Sequence, residues 1–164
     1  MRWLRVGLRL FVLSCLSGAP PLAAQRTAQH AVRPAAELGV QAIGIAADPG
    51  FVGGGLYAAW RTTERSRAAV TLSAGQIGRS AAGRLELLGH FLLSPRTEGP
   101  TAVYGLGGAA LVAHQGTRGY LVLGLGLETR PGARSGWVLE AGVGGGFRAV
   151  AGWRWRVGPA PRAN

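Results

Sequence analysis

From Glu37 onward the chain alternates between two kinds of residue. In one stretch Leu121, Leu123, Leu125 and Leu127 take every second place, and Tyr120, Val122, Gly124, Gly126 and Glu128 take the places between. Successive side chains of an extended strand point to opposite faces, whereas a helix repeats every 3.6 residues. The stretch is therefore a strand with a leucine face and a small-or-charged face. Trp137, Leu139, Ala141 and Val143 against Gly136, Val138, Glu140 and Gly142 repeat the pattern. So do Phe147, Ala149, Ala151, Trp153, Trp155 and Val157 against Arg148, Val150, Gly152, Arg154 and Arg156. A fourth case sets Leu85, Leu87, Gly89 and Phe91 against Arg84, Glu86, Leu88 and His90.

Eight such runs are predicted, over 37–47, 51–61, 66–76, 83–93, 101–113, 119–129, 135–143 and 147–157. The separators, among them Asp48-Pro49-Gly50, Gly78 to Ala82 and Gly144 to Gly146, are turn-formers at the spacing of an antiparallel meander. Run one fits least well. Ile43 and Ile45 fall on the inward side beside Gln41, and a bulge would correct the register.

The orientation of the two faces decides the class. A water-soluble sheet would place many charged and polar residues on its wet side. Here charged residues are only 15% of a chain with 28 glycines, and the non-leucine face is largely glycine and small residues interrupted by single charges. Small residues with isolated charges suit the inside of a narrow barrel, and large apolar residues suit an outside in contact with lipid. Closure satisfies every backbone group and removes sheet edges. The fold predicted is all-β: one closed antiparallel eight-stranded up-and-down transmembrane barrel over 37–158. Most runs have the ~9–11 residues that a membrane-crossing strand needs, and none reaches the ~18 of a membrane helix.

Aromatic residues give a second reading. With the first strand starting at the lower rim, Trp60, Phe91, Tyr104, Trp137, Trp153 and Trp155 all fall near that rim and on the outer face, as an aromatic girdle would. Phe51, Tyr120 and Phe147 fall at the opposite rim.

The first residues have the order of a secretory signal. Arg2, Arg5 and Arg9 precede the apolar stretch Leu10–Ser17, then Gly18-Ala19-Pro20-Pro21 and Leu22-Ala23-Ala24-Gln25. The predicted division is a signal at 1–24, a flexible lead at 25–36, the barrel, and a tail at 159–164. The only cysteine, Cys15, lies in the signal, so the mature chain has no disulfide or thiolate metal site. The net charge of +11 raises the question of nucleic acid. The arginines are spread singly or in small groups and form no stripe along one helical face, and export would separate the chain from cytoplasmic nucleic acid, so none is expected.

The signal, the Gly-rich alternating runs and the closing Gly152-Trp153-Arg154-Trp155-Arg156-Val157 resemble small eight-stranded bacterial outer-membrane β-barrel proteins over about 37–157. The resemblance implies the outer membrane as location, membrane lipid and the barrel-assembly machinery as partners, a monomer, and no cofactor. Members of that class usually carry long extracellular loops and a terminal aromatic residue; this chain has short upper connections and Gly158 to Asn164 after the last run. A secreted or periplasmic soluble barrel is the alternative.

Sites of chemistry are few. Gly105-Leu106-Gly107-Gly108-Ala109-Ala110 approaches a dinucleotide turn, but no helix of useful length can follow before His114-Gln115-Gly116. His30, His90 and His114 are scattered, and Ser73 is not placed beside a histidine on the same face, so no acyl-transfer pair or zinc set is expected. No catalytic, cofactor or metal residue is assigned. The informative residues are structural charges of the interior: Glu37, Arg84, Glu86, Glu128, Glu140, Arg148, Arg154 and Arg156. Glu140 with Arg148, and Glu37 with Arg154 near the closing seam, are the pairs expected. Leu121, Leu123, Leu125 and Leu127 are expected to face lipid. The functional reading is a non-enzymatic outer-membrane barrel with a structural or interaction role. The alternatives are a narrow pore or small-ligand carrier and a lipid-modifying barrel enzyme.

Overall fold

A computed structural model describes residues 36–63, 65–93, 100–131 and 133–157. The expected signal at 1–24, nearly all of the lead at 25–36, and the tail at 159–164 lie outside the described residues.

Eight strands form: β1 (Ala36–Ala46), β2 (Phe51–Arg61), β3 (Ser66–Ile77), β4 (Ser80–Leu92), β5 (Thr101–Ala113), β6 (Thr117–Thr129), β7 (Ser135–Val143) and β8 (Phe147–Val157). Each pairs antiparallel with its sequence neighbours, and β1 pairs with β8 to close the barrel. The seam runs from Ala36 opposite Val157 to Ala46 opposite Phe147 without interruption. The end at which β1 begins and β8 ends is called lower here.

The upper turns are tight. Ile77 pairs with Ser80 around Gly78-Arg79, so β4 starts earlier than the run at 83–93. Gly78 has a φ of 61°, a left-handed conformation that costs glycine little. Ala113 pairs with Thr117, and Val143 with Phe147, around three-residue turns.

The alternation separates the barrel into a wall and a filling. Leu121 is 80% exposed and Val122 is fully buried. Leu38 and Val40, Val52 and Leu56, Leu72, Leu87, Leu111, Leu139 and Phe147 place exposed large apolar groups on the remaining strands. Among the described residues, no outward-facing strand position carries a charged side chain; its few polar groups, such as Gln76, Thr117 and Thr129, lie toward strand ends.

Two expectations about the filling are corrected. No bulge interrupts β1, whose register is continuous against both β2 and β8. Ile43 and Ile45 do point inward, where they form an apolar plug with Phe51, Ala82 and Val150. Packed against other apolar inward side chains, the two isoleucines need no change of register, even though Ile45 stands opposite Arg148 across the seam. Phe51 thus belongs to the plug and not to an outer upper rim, where Phe147 remains, 58% exposed.

Candidate functional site

The charged interior is built by strand parity. β1 turns Glu37 inward, β4 Arg84 and Glu86, β6 Glu128, β7 Glu140, and β8 Arg148, Arg154 and, half-buried, Arg156. All eight sequence-predicted interior charges therefore lie inside. They divide into two clusters, and the structure adds Arg61 from β2 and Arg67 from β3.

In the lower cluster Glu37 is the hub. Arg61 donates to its Oε1 at 2.7 Å and Arg67 to its Oε2 at 3.0 Å. Arg156 donates to Oε1 at 3.2 Å, and Arg154 is ion-paired to Oε2 at 3.1 Å. Glu128 takes Arg67 at 2.8 Å, Arg154 at 2.9 Å and Arg156 at 3.2 Å. Arg61 and Arg67 stand directly opposite each other on β2 and β3, a repulsive placement that Glu37 relieves by binding both.

In the upper cluster Glu86 and Glu140 face Arg84 and Arg148. Arg84 donates to Glu86 at 2.7 Å and to the Gly144 carbonyl at 3.1 Å. Arg148 donates to Glu86 Oε2 at 2.7 Å and to Glu140 Oε2 at 2.8 Å. Both expected pairs, Glu140 with Arg148 and Glu37 with Arg154, are formed. Charge-assisted bonds of this length offset the desolvation of each partner.

An aromatic layer joins the clusters. Tyr104 donates to Glu140 at 2.8 Å, its ring stacks on His90 at 5.0 Å, and the Arg67 guanidinium lies 4.6 Å above it. Arg67 Nε donates to His90 Nδ1 at 2.7 Å, which assigns the ring proton to Nε2. Tyr57 is also stacked with His90, with ring centroids 6.4 Å apart.

Tyr104 corrects the expected girdle. It is 2% exposed and faces inward, while Trp60, Phe91, Trp137 and Trp155 are exposed and Trp153 packs edge-on against Trp137 at 5.1 Å. The reason is volume. Tyr104 lies opposite Gly126, and a Cβ on Gly126 would fall within the Tyr104 ring. The missing side chain on β6 makes the space that the ring fills. On the outer face Gly105 and Gly107 of β5 are flanked by Leu125 and Leu123 of β6, so β5 needs no bulk of its own there. Run five has little polar contrast, and its parity could not be read from composition.

Arg61 and Arg67 are not among the interior charges expected from the sequence, although parity marks both. Arg61 follows Tyr57 and Ala59, and Arg67 precedes Ala69, Thr71 and Ser73 on the inward side. His90 shares a face with Glu86, as read, but its partner is Arg67, and Glu140 is 4.0 Å from its Nε2. Ser73 lies six residues along β3 from Arg67, which is about 20 Å, so it does not meet His90. Gly105 to Ala110 lies within β5.

Solved structures share this architecture. The N-terminal β-barrel domain of Pseudomonas aeruginosa OprF superposes with a TM-score of 0.52 and 14% identity, over 74% of this chain and 97% of that one. Neisserial surface protein A gives 0.53 and 10%, over 76% and 97%. In fold the chain resembles small eight-stranded bacterial outer-membrane barrels. The de novo designed TMB2.3 gives 0.51 and 19%, over 77% and 97%. No protein-family model matches the sequence, and no curated protein matches it.

Proposed function

We propose that this chain is a non-catalytic outer-membrane barrel with a structural or interaction role, exported by its signal, inserted by the barrel-assembly machinery and monomeric in the membrane. One observation carries the reading: the partition of charge is inverted. Among the described residues the outward strand positions hold no charged side chain, while Glu37, Glu86, Glu128 and Glu140 with their arginines are inside. Water-soluble proteins rarely present an apolar surface that encircles the whole molecule. In hydrocarbon the same wall is the favoured one, with closure satisfying the backbone.

In this reading Leu121, Leu123, Leu125 and Leu127 contact lipid, and Trp60, Phe91, Trp137, Trp153 and Trp155 sit at the lower interface. The fold likeness to the OprF domain and to Neisserial surface protein A supports the location. Against a pore stands the filled interior, in which the long side chains of Arg84, Arg148, Arg154, Tyr104, Glu37, Glu86 and Glu128 are all buried. Against lipid modification stands the separation of Ser73 from His90.

The test combines membrane fractionation with detergent gels of heated and unheated samples. The expected result is recovery with outer membranes and a band that shifts on heating. Recovery in the soluble fraction with no shift would overturn the membrane reading. Leu125→Arg gives a finer measure: about 2–4 kcal/mol lost in a folding titration in lipid if the site lies near mid-bilayer.

A further inference from the structure

The lower ends of β6, β7 and β8 bring two kinds of side chain together. Trp137 and Trp153 stand directly opposite each other on β7 and β8, and Trp155 lies opposite Ser135, nearer the rim. All three belong to the outer wall, with Trp137 54% and Trp155 46% exposed. Just beyond them the β6–β7 connection carries Arg130 and Arg134, both exposed. The Ala133 amide donates to the Arg130 carbonyl at 2.9 Å, and the Arg156 amide donates to the Arg134 carbonyl at 2.7 Å. The turn is thereby tied to itself and to β8, so both arginines leave the rim beneath the indoles.

This sector differs from the rest of the described rims. The β2–β3 turn has one exposed arginine, Arg65, below one tryptophan, Trp60. At the upper end Arg79 and Arg118 are exposed together with Asp48, and no described tryptophan lies there. Arg130 and Arg134 also lack a counter-charge. Of the described carboxylates, Glu37, Glu86, Glu128 and Glu140 are buried in the lumen, and Asp48 lies in the upper β1–β2 turn.

Indole rings settle at the level of lipid headgroups, apolar on one side and wet on the other. A guanidinium just outside that level meets the phosphate, which it binds as a fork with two parallel N–H donors. A zwitterionic headgroup also brings an ammonium group that needs an acceptor, and no described carboxylate offers one here. A headgroup of net negative charge has no such requirement. Above the tryptophans Ala141, Ala149 and Ala151 leave the wall shallow, with Leu125 and Leu139 paired beside them. An acyl chain can lie in that track. We infer that the lower β6–β8 sector holds one anionic phospholipid, its phosphate on Arg130 and Arg134 and its glycerol region against Trp137, Trp153 and Trp155. The inference rests on the membrane reading and adds to it the class of lipid and its place on the wall.

The full chain, refolded in detergent and checked by the heat-dependent gel shift, is mixed with phosphatidylglycerol and phosphatidylcholine of the same acyl chains. Retained lipid is counted by native mass spectrometry. The expected result is one phosphatidylglycerol per chain, retained about twentyfold better than phosphatidylcholine, since each of two basic residues near an anionic headgroup contributes about fivefold. Arg130→Gln and Arg134→Gln should each weaken retention about fivefold. Arg65→Gln removes the same charge from the same rim in another sector and should leave retention unchanged. The gel shift reports whether each variant still folds, and the two arginine variants test the site independently. Equal retention of the two lipids would overturn the inference. So would an equal loss in Arg65→Gln and Arg134→Gln, which would mean that the rim attracts anionic lipid by its general charge. Either result leaves the membrane reading standing if the chain still shifts on heating. A chain with no shift that retains neither lipid would overturn both.

Discussion

The two interior clusters use the same residue types to different ends. Above, Arg84 and Arg148 are matched by Glu86 and Glu140, and the apolar plug of Ile43, Ile45, Phe51 and Val150 lies toward the same end. Below, Arg61, Arg67, Arg154 and Arg156 share Glu37 and Glu128, and the Arg156 side chain reaches the lower rim. A charge sealed beneath apolar side chains must find its counter-charge within the protein, because solvent cannot supply it. A cluster near an open rim can carry an excess that its surroundings compensate. The comparison shows that neutrality is enforced locally, by access to water, and not over the barrel as a whole.

The sharpest way to break this comparison is at its hub. Glu37→Gln leaves Arg67, Arg154 and Arg156 to Glu128 alone and takes from Arg61 its carboxylate partner, and should cost about 5 kcal/mol, the upper end for breaking a buried pair. Glu86→Gln, which leaves Arg148 to Glu140 and Arg84 to the Gly144 carbonyl, should cost about 3 kcal/mol. Urea unfolding of both variants in the same lipid orders them. An equal or reversed order would show that the hub is no more demanding than the balanced cluster.

The balanced cluster is tested by a double-mutant cycle. Arg148→Gln and Glu140→Gln should couple by about 2 kcal/mol, within the usual range for contacting charges. Single losses that add to within about 0.5 kcal/mol would mean that the 2.8 Å pair contributes no specific energy.

The layer between the clusters should respond to volume. Gly126→Ala drives a methyl group into the Tyr104 ring and should cost about 1–3 kcal/mol through overpacking. Tyr104→Leu should recover part of that loss when combined with it, as measured by the same titration. No recovery would place the strain elsewhere.

The smallest effect is expected where intuition suggests a large one. Arg61→Gln removes an ion pair of 2.7 Å but also relieves the lower surplus and the Arg61–Arg67 opposition, so the net loss should stay under about 1 kcal/mol. A loss as large as that of Arg148→Gln would erase the distinction between the clusters.

Alternation by itself determined the strands, the turns and the direction of Glu37, Glu86, Glu128, Glu140, Arg84, Arg148, Arg154 and Arg156. Parity is local: once a strand is extended, each residue's face follows from its neighbour's, and a contrast as strong as leucine against arginine reveals it. Where contrast is weak, as in β5 and the upper half of β1, local pattern misleads: it sets Tyr104 outside and asks for a bulge that the register does not contain. Tertiary structure alone decided which charges meet. Arg67 reaches Glu128 across 61 residues of sequence, and Glu37 meets Arg156 only because β1 and β8 close the barrel. It also decided that the ring of Tyr104 fills the space opposite Gly126 and that Ile43 and Ile45 form a plug. These outcomes depend on a lumen volume shared by eight strands and on their mutual register, quantities that no single strand carries in its sequence.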